Sequence, residues 1–138
     1  QLFIQKCKEQ YHFLYAPLDV ILSNMEVRQP DLIAIRKDRS SIITKRGIEG
    51  PPDLVVEILS PSTRRKDKLD KVASYGRHGV AEYWIVEPET GVLEQYVRHE
   101  DRLQLTDVYE GNEPIRSELL PCVTFSMSEV MKSIPDFL

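Results

Sequence analysis

The chain is poor in several residues that would have fixed its class at once. Among 138 residues it has two cysteines, one tryptophan, three histidines and six glycines. Cys7 and Cys122 stand far apart and in no metal-ligand spacing, so a disulfide scaffold and a zinc ribbon are both excluded as readings. The pair reads as two small apolar residues in a reducing, cytosolic setting. His12, His78 and His99 are scattered. There is no His-Glu-x-x-His pair and no glycine-rich phosphate loop, so zinc-hydrolase, P-loop and Rossmann readings lack their residues. No stretch approaches the roughly 20 apolar residues a membrane helix needs, and no charged-then-apolar leader opens the chain. Positive charge is also short. With 18 Lys and Arg against 22 Asp and Glu, the net of −4 argues mildly against nucleic-acid binding.

What is present has a soluble globular balance, 41% hydrophobic and 29% charged, and a length that fits one domain over residues 1–138. The charge is unevenly spread. Residues 36–77 carry 11 Lys and Arg against 6 Asp and Glu, a local +5. Residues 78–138 carry 4 against 12, a local −8. A basic middle and an acidic end need a reason.

The hydrophobic pattern predicts a strand over 12–22, a polar connection over 23–30 and a strand over 31–36. A charged loop with Gly and Pro follows over 37–52, then a nearly continuous apolar strand over 53–60. Such a run predicts a central strand, covered on both faces. Residues 61–79 read as a helix with Gly79 as its C-terminal cap and Leu69, Val72, Ala73 and Gly76 as its apolar stripe. A strand over 81–88, a hairpin turning near 99–101, a short strand and a helical turn capped at Ser126 or Ser128 complete the chain. The first three strands form an antiparallel meander, and the strand after the helix runs parallel to the third. Trp84 reads as core. Tyr83, on the opposite face, shields the sheet or a dimer contact. The late hairpin either covers a sheet edge or pairs with a second subunit.

Glu57 is the misfit of the apolar strand. A carboxylate there needs either a buried ion pair or a metal. Asp31 opens the preceding strand after Pro30, and neighbouring strands about 4.8 Å apart let two carboxylates converge on one hard cation such as Mg²⁺. Asp19 on the first strand is a rival carboxylate. Asp67, Lys71 and Tyr75 recur at i, i+4 and i+8 and so line one helix face. Lys71 either makes a solvated pair with Asp67 or reaches over the end of the third strand to steady charge on phosphate. Arg64, Arg65, Lys66 and Lys68 are either a solvated face or a phosphate-attracting cluster.

The run VVEILSPST, the spacing D-x3-K-x3-Y and the segment GV-x-EYWIV, with QPDLIAI upstream, resemble the Uma-type endonuclease family of the PD-(D/E)xK nuclease superfamily. The resemblance covers roughly residues 15–97. It implies a restriction-endonuclease-like α/β fold: an αβββαβ core with a mixed sheet, here extended by a C-terminal hairpin. It also implies an N-terminal helix, incomplete in this chain. It further implies Mg²⁺-dependent, or Mn²⁺-dependent, hydrolysis of nucleic acid (DNA above all), a homodimer and a cytoplasmic setting. On that resemblance Pro30-Asp31 matches the PD half of the motif and Glu57 its acidic second half. Leu59 stands where the superfamily has Lys, and Lys71 from the following helix is the matching substitute. Asp31, Glu57 and the Ile58 backbone carbonyl are then the expected metal ligands. Arg64, Arg65 and Lys66 are the expected contacts to the nucleic-acid backbone. The rival expectation is a non-catalytic module of the same fold, binding nucleic acid or protein. Leu59 and the acidic total both favour it.

Overall fold

The computed structural model describes residues 9–60, 62–63, 65–123 and 125–133. The helix expected ahead of the first strand falls on residues outside that set. Two sheets form. The larger has strand order β1-β4-β7-β8-β9-β10 and the smaller β3-β2-β6-β5. Their strands are β1 Tyr11–Tyr15, β2 Val20–Ser23, β3 Glu26–Arg28, β4 Leu32–Arg36 and β5 Ile43–Thr44. Then come β6 Gly47–Glu49, β7 Leu54–Ile58, β8 Glu82–Glu87, β9 Val92–His99 and β10 Arg102–Glu110. Helix α1 is Arg65–Arg77 and α2 is Met127–Ser133.

The large sheet follows the predicted meander. β1 pairs antiparallel with β4, β4 antiparallel with β7, and β7 parallel with β8 across the α1 connection. β7 lies between β4 and β8, the central position its apolar run required. Its alternation sorts two cores. Ile33, Ile35, Val55, Tyr83 and Ile85 face α1 and the small sheet, with Val20 and Ile48. Leu32, Ala34, Leu54, Val56, Trp84 and Val86 face the opposite layer, made by residues 115–130. Trp84 is fully buried there, as its strand position indicated.

Three expectations are corrected. The single strand over 12–22 is two strands in different sheets, divided at the cis Ala16–Pro17 bond, because proline has no N–H for a ladder. The polar connection and charged loop hold β3, a 3₁₀ turn at Lys37–Ile42, β5 and β6. These short elements carry too few apolar residues for a periodicity to show. The short strand expected before α2 is only an isolated bridge, Pro114 to Ser126. Ser126 does cap α2, its Oγ accepting from Glu129 N–H while Glu129 Oε1 accepts from Ser126 N–H.

Helix α1 starts at Arg65, not at 61. Thr63 N–H closes a turn onto Ser60 C=O, and the residue before Pro61 is held out of helical geometry. Its end is as predicted. Gly79 takes φ +96°, with Gly79 N–H donating to Gly76 C=O and Val80 N–H to Tyr75 C=O. That is a Schellman cap, which needs a left-handed residue. The predicted apolar stripe holds only at Val72, which packs on the core, and at Gly76; Ala73 and Leu69 face solvent. Leu69 is 53% exposed, and the buried residues are Ser74, Tyr75 and Gly76. A Cβ on Gly76 would stand 2.8 Å from the Leu103 backbone nitrogen, so only glycine lets α1 approach β10 here. Cys122 is disulfide-bonded, so the expected thiol is absent there and the reducing setting does not follow from it.

Candidate active site

The β4–β7 register aligns Leu32 with Val56, and one further step along both strands brings Asp31 level with Glu57. Residues opposed across an antiparallel pair point to the same face. Both carboxylates therefore project towards α1, at the end of the sheet where β7 runs out. The row continues through Ile85 on β8 to Glu94 on β9.

Asp31 is half-buried, and its Oδ2 accepts the Ile58 backbone N–H at 2.7 Å. That bond fixes the carboxylate against the last residue of β7. Glu57 is 6% exposed, and each of its oxygens has a donor. Lys71 Nζ lies 2.9 Å from Oε1, and the Tyr83 hydroxyl donates to Oε2 at 2.5 Å. Of the two readings of Glu57, the ion pair is present as built. Its partner is the helix lysine rather than a residue of the sheet.

Lys71 and Lys68 have separate partners. Lys68 Nζ is 2.8 Å from Glu94 Oε1 and 3.0 Å from Glu87 Oε1. Burial opposes the Lys68 charge, but the hydrogen bonds it donates to Glu94 and Glu87 outweigh it and raise its pKa. Tyr96 donates to the same Glu94 oxygen, and burial together with that bond pushes its phenol up to about 12. The sheet thus holds two carboxylate–lysine–tyrosine sets, Glu57–Lys71–Tyr83 and Glu94–Lys68–Tyr96. The lysines sit at i and i+3 on α1, so the helix meets this end of the sheet with a charged face. Among the described residues no Asp67–Lys71 ion pair forms. Lys71 has turned inward to Glu57, and Asp67 is exposed.

The other expected residues divide. Leu59 packs against the apolar core below α1, so a lysine at that position is replaced by a core residue. Arg65 and Lys66 are exposed at the start of α1, and neither makes an ion pair with a described residue. Arg64 lies outside the described residues. Asp19 accepts from Gln29 Nε2 in the small-sheet region and has no contact with the Asp31–Glu57 pair. Sequence reasoning gave Tyr83 a shielding role and missed its bond to Glu57. The signal was available, because the parallel β7–β8 pairing puts Glu57 and Tyr83 on the same face. Tyr75, on the face of α1 read from the sequence, is fully buried with its ring 4.9 Å from that of Tyr83. Its hydroxyl lacks a hydrogen-bond partner among the described residues.

The donor set can be tested against a divalent ion. No group of three or more His, Cys, Asp or Glu occurs among the described residues. Zinc, which prefers nitrogen and sulfur ligands, does not fit. A hard ion that keeps much of its own water and needs only one or two carboxylates does fit Asp31 and Glu57. No helix among the described residues is long and apolar enough to cross a membrane.

Comparison with known proteins gives the family and the fold. No curated protein sequence matches the chain. A crystal structure described as a putative nuclease belonging to DUF820, from Anabaena variabilis, superposes with a TM-score of 0.70 at 16% identity. The match covers 94% of this chain and 72% of that one. The shared fold is a restriction-endonuclease-like mixed α/β sheet. The sequence itself matches the Uma2 family, described as "Putative restriction endonuclease", over residues 1–128, nearly its whole length, and the chain belongs to that family.

Proposed function

We propose that the protein is a divalent-metal-dependent nuclease that hydrolyses phosphodiester bonds, with DNA as the expected substrate. The observation that carries this reading is the placement of the Lys71 ammonium on Glu57, beside a register-matched Asp31. A lysine from the helix thereby occupies the neighbourhood that Leu59 cannot serve.

Asp31, Glu57 and the Ile58 backbone carbonyl would hold Mg²⁺ or Mn²⁺. Such an ion, when bound, would supply charge to polarise the phosphate and lower the pKa of a water. The protein's part is orientation and charge. Tyr83 fixes the direction of the Glu57 carboxylate through Oε2. The Ile58 N–H fixes that of Asp31. Lys71, held by Glu57 but still 30% exposed, is free on its outer side to meet an incoming phosphate oxygen as negative charge grows there. Arg65 and Lys66 stand at the N-terminal end of α1, where the helix dipole adds to their positive field. That local field accounts for the +5 segment in an acidic chain. A homodimer and a cytoplasmic setting are finer expectations of the same reading. The edge strand β10, with Leu105 and Val108 exposed, supports the former.

The test is Mg²⁺-dependent cleavage of plasmid DNA by the wild type, Glu57→Gln and Lys71→Met. Loss in both variants is expected, and cleavage at wild-type rate by both would sink the assignment. The second reading, a non-catalytic module, is favoured by Leu59 and predicts binding of DNA without cleavage at any metal concentration.

A further inference from the structure

The Tyr75 hydroxyl is the one buried side-chain polar atom without a hydrogen-bond partner among the described residues. Buried polar groups are nearly always satisfied, so an orphan needs an account. Its position supplies one. Tyr75 lies one helical turn beyond Lys71, on the same face of α1. Its ring rests against Tyr83, whose own hydroxyl is on Glu57. The charges it senses are those of Glu57, Arg28 and Asp31. Burial, then the Glu57 charge, raise the phenol far above its ordinary range, so it is a donor at every working pH.

A fully buried hydroxyl is out of reach of a polymeric substrate, and a small ligand is required. Water fits, since it can accept from Tyr75 and still donate to a carboxylate. We propose that Tyr75 is a positioning residue that holds a water molecule in line with Asp31 and Glu57, as part of the hydration shell of the divalent ion. This rests on the metal-dependent reading above and adds to it a residue that touches neither the ion nor the phosphate. It also explains why a tyrosine, rather than phenylalanine, sits at a position that is otherwise entirely core.

The experiment compares wild type and Tyr75→Phe by calorimetric titration with Mg²⁺ and Mn²⁺, and by thermal unfolding with and without the ion. Removing an unsatisfied buried hydroxyl is expected to raise the ion-free Tm by about 3 °C. Losing the oriented water is expected to weaken ion binding by about tenfold, the low end for groups that support metal ligands from behind. The two effects have opposite sign, which a purely structural tyrosine does not produce. Equal ion affinity in wild type and variant overturns the role of Tyr75 and leaves the metal reading intact. A lowered ion-free Tm also overturns it, because the hydroxyl is then satisfied without the ion. Failure of the wild type to bind either ion overturns the metal reading itself, and Tyr75's role with it.

Discussion

Lys71→Met gives the most direct measure of the charge coupling at the site. The pair is 2.9 Å apart. Two unit charges at about that distance attract by roughly 6 kcal/mol at an effective dielectric of about 20, before desolvation is counted. The Lys71 side chain is 30% exposed and that of Glu57 7%, so water screens the lysine end more than the glutamate end. Halving the figure for screening and desolvation leaves about 2–3 kcal/mol, below the 3–5 kcal/mol typical of fully buried pairs. For a domain of this size that lowers Tm by about 6–9 °C. Methionine keeps most of the volume, so the loss reports charge rather than packing. The assay is a double-mutant cycle in urea, with Lys71→Met, Glu57→Gln and the double variant. In Glu57→Gln the side chain still accepts from Tyr83, which isolates the ionic component. The double variant should be more stable than the sum of the singles by about 2 kcal/mol. A coupling under about 0.5 kcal/mol would refute the reasoning, because Glu57 would then be stabilised by something other than the ammonium.

Three other predictions concern separate parts of the molecule. Glu82, 2% exposed on the face away from α1, accepts from Trp84 Nε1, Gln95 Nε2 and Ser117 Oγ and has no cation within ion-pair distance among the described residues. Burial raises its pKa, so the folded state binds its proton more tightly than the unfolded chain does, and this residue's contribution to stability falls as pH rises above the unfolded value of about 4.3. Glu82→Gln should remove that slope, seen as urea midpoints that gain on wild type as pH rises from about 4; parallel profiles from there upward would refute it. Gly76→Ala, forcing a Cβ to within 2.8 Å of the Leu103 nitrogen, should lower stability by about 1–3 kcal/mol without altering ion affinity. Arg65→Ala and Lys66→Ala should each weaken DNA binding uniformly across sequences and reduce the slope of log affinity against log salt by about one, measured by fluorescence anisotropy.

Much of the large sheet was legible because its strands obey simple alternation. Ile33 and Ile35 oppose Leu32 and Ala34, and only a two-faced burial satisfies both sets. Glu57 was visible for the opposite reason, as a carboxylate where the pattern demanded an apolar residue, and Asp31 as the acid that opens the neighbouring strand after Pro30. Lys71 was placed on the right helix face, but the choice between it and Lys68 needed the partners. Glu94 and Glu87 come from a hairpin whose register no local signal gives. Of the small sheet, β3, β5 and β6 escaped because they are two or three residues long with a single large apolar side chain each. Its docking combines Val20 and Ile48 in the core with long-range polar bonds, such as those from Ser74 and Arg77 on α1 to Glu26 on β3. Tyr75 reads from sequence as part of the Lys71 face and Tyr83 as a shield for the sheet or a dimer contact; the bond from Tyr83 to Glu57 was not legible in either residue alone, since a hydroxyl's destination depends on which strand lies alongside.

The β4–β7 register ties two properties to a single alignment. A slip of one residue would turn every side chain of one strand to the opposite face. Ile33 and Asp31 share a face, as do Val55 and Glu57, so the slip that would exile the isoleucine from its core would also carry the aspartate away from its glutamate. No separate device is needed to keep the two acids aligned. The hydrophobic effect, acting on residues two positions away, proofreads the geometry of the acids, and any chain that has folded its core has already assembled the pair.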